Sequence, residues 1–245
     1  MGKVRAIGRD IWEYDVDLRL AAGLRMPSRS TIVRLASGAL VVHAPLAFDE
    51  EAAREIETLG EPRFVIAPAC THWMFVRAFQ DRWPSAKVLV APGLEKKLTG
   101  EHAVAFEALP SSGRIDAIGD ELRVQRIEGA PSMNEHVFLH RASGSLIVTD
   151  LLFNIQSCSS FLMRLTLRLT RAWRRPAQSR AWRFFVKDRA LAAQSAAAVL
   201  GWDFDRVVVA HGEVMDRDAR AQMTRALAWM VDGTPPLLGA GGAAA

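Results

Sequence analysis

His72, Asp150 and His211 each stand where an apolar, strand-like run gives out: residues 63–68 lead toward His72, residues 145–149 to Asp150, and residues 206–210 to His211. In open α/β sheets, ligands bind in the crevice beyond the strand ends. Two imidazoles and a carboxylate meeting there can hold a single Zn²⁺ or Fe²⁺ and leave positions open for water and substrate. Zinc lowers the pKa of its water to about 7, which makes hydrolysis of an ester, lactone, amide or phosphodiester feasible at neutral pH. The competing reading is structural. A histidine at a strand end also bonds backbone, and an aspartate there also caps the turn or helix that follows.

The elements that must deliver these residues follow from periodicity. Trp12, Tyr14, Val16 and Leu18 alternate with Glu13, Asp15 and Asp17, the period-two pattern of a half-buried strand. Residues 31–35 and 40–43, separated by Ala36-Ser37-Gly38, predict a β-hairpin that ends at His43. Asp49 can cap a helix through Leu59, stopped by Gly60. After a strand at 64–67, Thr71 or His72 is expected to open a helix with Phe75, Ala78 and Phe79 on its apolar face and Pro84 at its end. A strand at 87–91, a short helix at 94–98, a polar, turn-rich stretch at 100–120 and a strand at 121–127 come next. Residues 136–141 and 145–149 predict a second hairpin around Ala142-Ser143-Gly144. Residues 160–200 read as helical with a break at Pro176, then 206–210 as the last strand and 218–231 as the last helix. With no solenoid period and no linker-like stretch, residues 1–232 are expected to form one domain, and the Gly/Ala/Pro-rich tail 233–245 to be disordered.

Half of the 245 residues are hydrophobic and 24% are charged, enough for a full core without staples. Cys70 and Cys158 are too few for a disulfide framework and suit a reducing cytoplasm. The first residues lack the apolar run of a signal peptide, and no apolar segment reaches spanning length, so a cytoplasmic location is expected. The net charge of +4 is unevenly held: residues 156–190 carry nine basic side chains against one acid, +8, and the remainder 22 basic against 26 acidic, −4. Basicity confined to one segment argues against a general nucleic-acid binder. There is no Gly-rich phosphate loop, no nucleophile elbow and no Cys-x-x-Cys pair, so nucleotide, serine-hydrolase and structural-zinc readings find no support.

The order hairpin, helix, strand–loop–helix, a second hairpin ending in Thr149-Asp150, then strand and Ala210-His211-Gly212 resembles the metallo-β-lactamase superfamily over roughly residues 8 to 232. Ala67-Pro68-Ala69-Cys70-Thr71-His72, Met133-Asn134-Glu135 and Thr149-Asp150-Leu151-Leu152-Phe153-Asn154 look like a degenerate branch of it. The resemblance implies a mixed α/β, four-layer αββα sandwich with the metal site along one edge of its sheets. In the family's His-x-His-x-Asp-His run, His72 matches the last His, and the other three ligand positions fall on Ala67, Ala69 and Thr71. The family's Gly-His turn reads Gly129-Ala130-Pro131 here. Asp150 matches the bridging Asp and His211 the final His. The missing residues are mainly those of one ion of the usual pair. The resemblance therefore implies at most one zinc or iron ion, held by His72, Asp150 and His211, or no ion at all.

Four neighbours of these residues complete the expectation. Asp150 and Glu135 are the candidate catalytic carboxylates, with Glu135 as general base or fourth ligand. His43, where many relatives carry an Asp, could orient a ligand by a hydrogen bond, and Thr71 stands beside the site. Cys70 could ligate or act as a nucleophile, against the commoner fate of a buried, inert thiol.

The segment 156–200 reads as a basic helical insert. In 161–173, Leu162, Leu165, Leu169 and Trp173 share one face, while Arg164, Arg168, Arg171 and Arg175 form a stripe on another. Residues 181–193 add Trp182, Phe184, Phe185, Arg183, Lys187 and Arg189. Such a segment could be a solvated cover, a cationic lid for an anionic small-molecule substrate, or a peripheral membrane contact. Its Trp and Phe would also suit a homodimer contact, whereas no nucleic-acid motif is present. Two functions compete: a metal-dependent hydrolase, and a non-catalytic member of the family that binds an anionic ligand or membrane surface through these arginines.

Overall fold

A computed structural model describes residues 2–20 and 23–232; the tail at 233–245 lies outside the described residues. Strands β1 (Val4–Gly8), β2 (Ile11–Arg19), β3 (Arg25–Arg34), β4 (Ala39–His43), β5 (Glu61–Ala67), β6 (Lys87–Val90) and β7 (Glu107–Ala108) form one sheet in sequence order. Its first half is antiparallel and, from β4 onward, it is parallel. Strands β8 (Ser112–Ile115), β9 (Gly119–Arg126), β10 (His136–His140), β11 (Ser145–Val148) and β12 (Arg206–Val209) form the second, in the order β12-β11-β10-β9-β8. Only β11 and β12 pair in parallel there. The helices are α1 (Glu50–Leu59), α2 (Val76–Arg82), α3 (Phe161–Leu169), α4 (Trp182–Phe185), α5 (Arg189–Leu200) and α6 (Ala219–Val231). None of the described helices is long and apolar enough to cross a membrane.

The layers follow from what each face buries. Val33, Val41, Ile66 and Leu89 of the first sheet meet Leu122, Val124, Phe138, Ile147 and Val208 of the second in a shared interior. The other face of the first sheet is covered by Ala53 and Ile56 of α1 and by Val76 and Phe79 of α2. That of the second is covered by Ala192, Ala196 and Val199 of α5 and by Met223, Leu227 and Met230 of α6. The result is the expected αββα sandwich. Strands such as β5 and β12, buried on both faces, read as unbroken apolar runs for that reason.

The helical expectations need three corrections. Helix α2 starts at Val76, so His72 lies in the preceding loop, where its N–H donates to the Ala69 carbonyl. Residues 94–98 form turns rather than a helix, tied by Leu98 N–H to Leu94 O. The helical stretch expected over 160–200, with a break at Pro176, is three pieces, and the first break falls before Pro176. Helix α3 stops at Leu169; Arg171 and Arg174 then take φ of +58° and +54°, outside the helical region. The chain turns back because residues 173–177 pair with 153–155: Arg174 N–H donates to Ile155 O, and Phe153 and Ala177 exchange two bonds. That tertiary pairing overrides the helical pattern. Helix α5, N-capped by Asp188, belongs to the outer layer of the second sheet, so only the part before it stands outside the four layers.

Candidate metal centre

Three loops converge at one edge of the two sheets, each following a strand of the interior: β5 toward His72, β11 into Asp150, and β12 into His211. The hydrogen bonds between these loops run through the three segments singled out in the sequence. Cys70 N–H donates to Met133 O, and His136 N–H to Pro68 O. The Glu135 carboxylate accepts the Thr149 N–H at 2.7 Å, one residue from Asp150. Asn154 holds the last turn: its N–H donates to His211 O, its Nδ2 to Glu213 O, and its own carbonyl accepts the Glu213 N–H. Between them Gly212, at φ +106°, could not carry a side chain, since a Cβ would lie 2.1 Å from the Asn154 carbonyl oxygen. Leu151 and Leu152 anchor the Asp150 turn in the core beneath α5 and α6, and the Phe153 ring lies 5.3 Å from that of His211.

The convergence is close. Candidate ligand atoms of His72, Asp150 and His211 all lie within 4.8 Å of one another. His211 Nε2 is 3.2 Å from Asp150 Oδ1, and His72 Nε2 is 3.5 Å from Oδ2. The His72 and His211 rings are 5.2 Å apart. Thr71 Oγ1 donates to Asp150 Oδ2 at 2.6 Å. His211 Nδ1 lies 2.9 Å from the Pro27 carbonyl of β3, which can only accept. That contact puts a proton on Nδ1 and turns Nε2 toward Asp150. Burial alone would raise the Asp150 carboxyl; the charge of His72 and the hydrogen bonds of His211 and His72 outweigh it and hold the group well below the ordinary carboxylate range.

The site opens into a pocket of about 260 Å³ lined by His72, Asp150, His211 and Thr71 together with Leu18, Leu20, Met26, Leu46, Met74 and Phe75. Among the described residues, its one charged wall residue besides Asp150 is Arg29. That guanidinium is already engaged: Nε lies 2.8 Å from Glu13 and from Asp15, and Nη1 donates to Val209 O at 2.7 Å. Arg29 and this apolar wall had no signal in the sequence beyond the alternation of β2, because β3 reaches the site only through the sheet.

Other expected site residues lie elsewhere. Glu135 is fully buried and outside the pocket; burial, then the charge of Asp150, pushes its carboxyl up to about 8 against the backbone donors of Leu151 and Thr149. It acts on the site through the Thr149 backbone, and its position does not suit a ligand or a base that meets substrate. His43 is buried against Phe138 and its Nε2 has no hydrogen-bond partner, so it orients no ligand by such a bond. Burial, then the charge of His72, pushes it down to about 3. Cys70 packs in the core under α2, 3.7 Å from the Pro92 carbonyl, and burial raises its thiol; it does not face the pocket. Ala67, Ala69 and Ala130, which the resemblance sets at family ligand positions, are buried methyl groups.

The expected arginine stripe is divided. Arg164 Nη1 donates to the Cys158 carbonyl, and Arg168 lies over the Trp173 ring. Arg171 and Arg175 instead join Arg180, Arg183 and Arg225 around a separate cleft. Arg225 comes from α6, and nothing local in the sequence links it to the others. The helix faces are also reversed: α3 buries Met163 and Leu167 against Phe153 and Ile155, while Leu162, Leu165 and Leu169 are exposed.

Solved structures with this architecture are numerous. A metallo-β-lactamase from Pontibacter korlensis matches 95% of this chain and 100% of its own at 15% identity, with a TM-score of 0.61. The metallo-β-lactamase FIM-1 from Pseudomonas aeruginosa, in its mono-zinc form, matches 94% and 96% at 13% identity and a TM-score of 0.61. The metal-soaked Flv1 flavodiiron core from Synechocystis matches 94% of this chain and 60% of its own at 12% identity and a TM-score of 0.62. No curated protein matches. The family model described as a domain of unknown function, DUF4336, matches residues 9–171. The chain therefore has the metallo-β-lactamase fold and belongs to the DUF4336 family.

Proposed function

We propose that the protein is a metal-dependent hydrolase with a reduced, mononuclear site, in which His72, Asp150 and His211 hold one zinc or iron ion. One observation carries the reading. The Pro27 carbonyl accepts from His211 Nδ1 and turns Nε2 to 3.2 Å from one Asp150 oxygen, with His72 Nε2 3.5 Å from the other, so three ligand-type atoms stand within 4.8 Å of one another. Such a cluster takes either a shared proton or a divalent ion. The donor set of two imidazoles and one carboxylate suits a divalent ion with open positions. The buried methyls of Ala67, Ala69 and Ala130 offer nothing to a second ion.

When bound, the ion would supply Lewis acidity and a water acidified toward neutral pH. The chain's own contribution is positional. Thr71 fixes the Asp150 carboxylate through its hydroxyl, and Glu135 fixes the same turn through the Thr149 N–H. Leu18, Leu20, Met26, Leu46 and Phe75 exclude water from one side and accept an apolar group. With Arg29 neutralised by Glu13 and Asp15, the wall favours an uncharged substrate with an apolar acyl part, an ester or lactone in the first instance, over a charged phosphodiester. The test is hydrolysis of a panel of aryl esters, lactones, amides and phosphodiesters by protein loaded with zinc or with iron. Turnover of an ester or lactone that vanishes in Asp150→Asn is expected. No turnover across the panel, or equal turnover by Asp150→Asn, overturns the reading.

A further inference from the structure

Helix α3 is apolar on two sides. At 100° per residue, Phe161, Leu162, Leu165 and Leu169 fall within an arc of about 100°, roughly opposite Met163 and Leu167. The inward pair is buried; the outward four are 68%, 51%, 41% and 72% exposed. Arg164 and Arg168 border the outward stripe, and Arg164 lies 5.8 Å from the Phe161 ring. The C-terminal end of α3 meets α4, since Arg180 N–H donates to Thr170 O. Here Arg171, Arg175, Arg180, Arg183 and Arg225 surround a cleft of about 520 Å³ that no carboxylate of the described residues lines. Gln178 and Gln222 add amide groups, and Arg183 stacks on Trp229 at 4.8 Å. Desolvation, then the charges of Arg171, Arg183 and Arg175, lowers the Arg180 pKa. Phe184, next to Arg183 in sequence, is 80% exposed.

We propose that this face docks on an anionic phospholipid surface, with the arginine cleft taking headgroup phosphates while Phe161, Leu162, Leu165, Leu169 and Phe184 enter the interface. Guanidinium forks match phosphate oxygens, and arginines bordering an apolar stripe place their charge at headgroup depth. Contiguous exposed large apolar side chains, here opposite the buried Met163 and Leu167, mark an interaction surface. Charge selects the occupant. A second copy would set one +8 segment against another, which repulsion opposes. A nucleic acid would meet the phosphate-binding half, but the four outward residues of α3 include three leucines, which give bases no stacking platform. The proposal is independent of whether an ion binds at Asp150.

The experiment is flotation of the full chain with vesicles of phosphatidylglycerol mixed equally with phosphatidylcholine, beside pure phosphatidylcholine vesicles. Binding to the anionic vesicles only, weakened by salt, is expected. Arg180→Gln/Arg183→Gln should reduce it, with about fivefold per arginine as the scale. Leu165→Ser/Leu169→Ser should also reduce it, at unchanged circular dichroism. Inorganic tripolyphosphate and a single-stranded oligonucleotide test soluble anions, and sedimentation tests self-association. No binding to anionic vesicles, binding indifferent to both double variants, tight oligonucleotide or tripolyphosphate binding without vesicle binding, or a dimer broken by Leu165→Ser/Leu169→Ser overturns it.

Discussion

Two groups of arginines and their surroundings separate the molecule into contrasting regions. At the strand ends, Arg29 is 6% exposed and bound to Glu13, Asp15 and a backbone carbonyl, and the nearby His72, Asp150 and His211 are held by bonds from several loops. Around the segment before α5, four of its arginines and Arg225 of α6 face a cleft that no carboxylate of the described residues lines, beside exposed leucines and phenylalanines. The first region pairs its charges within the chain around the His72, Asp150 and His211 cluster; the second gathers arginines with no carboxylate of the described residues lining the cleft between them. The sheets, which fix the position of every strand end, provide the first. The second rests on short helices and positive-φ turns, where Arg175 is tied to the Arg171 carbonyl.

The sharpest way to break this comparison is to remove one arginine from each region. Arg29→Ala strands Glu13 and Asp15 and is expected to destabilise the fold by about 3–5 kcal/mol, the usual result of breaking a buried ion pair. Arg180→Ala should leave the melting temperature unchanged or slightly raised, since it relieves repulsion from Arg171, Arg183 and Arg175. Denaturation of both variants checks the pair; equal losses would erase the distinction.

Acid should act on the interior frame of the first region. Burial, as the leading cause, depresses His43 to about 3 and His136 to about 4, below the ordinary 6.5. Above that value both states are neutral and these groups contribute nothing. As pH falls below it, the unfolded chain takes up protons that the folded chain refuses, so stability is lost, about 2 kcal/mol per histidine by pH 5. Glu135, raised to about 8, has the opposite sign: it costs stability as pH rises from its unfolded value toward 8. Glu135→Gln keeps an acceptor for Thr149 and isolates the histidine effect. Urea unfolding of that variant at pH 7 and pH 5 should show the loss; equal stability contradicts it.

Thr71→Val removes the hydroxyl that donates to Asp150 at 2.6 Å while preserving shape. Metal affinity should fall roughly 10–100-fold, as for other residues that orient a ligand, with little change in folding stability. Metal titration by calorimetry measures it, and unchanged affinity would remove Thr71 from the account.

The sequence was most legible where local pattern and tertiary position coincide. Unbroken apolar runs end at or just before His72, Asp150 and His211 because β5, β11 and β12 are buried on both faces, and parallel strands bring their ends to one edge. It was least legible where a distant pairing decides. No Gly or Pro at 170–174 announces the end of α3; the break comes from the return of 173–177 onto 153–155. The leucine periodicity of α3 correctly grouped one face, yet Met163 and Leu167 are the residues that face Phe153 and Ile155. Proximity in sequence likewise placed Glu135 and Cys70 near the site. The backbone turns Glu135 toward Thr149 and packs Cys70 under α2, so neither enters the pocket. Arg225 joined the cleft from α6, a contact that only the packing of the outer layer creates.

The most direct test of the central claim is the metal content of protein purified without chelator or metal-binding tag, by elemental mass spectrometry, beside Asp150→Ala. About one equivalent of zinc or iron per chain, lost in Asp150→Ala while its circular dichroism is unchanged, is the predicted result. No metal in the native protein even after reconstitution, or an equivalent that persists in Asp150→Ala, contradicts it.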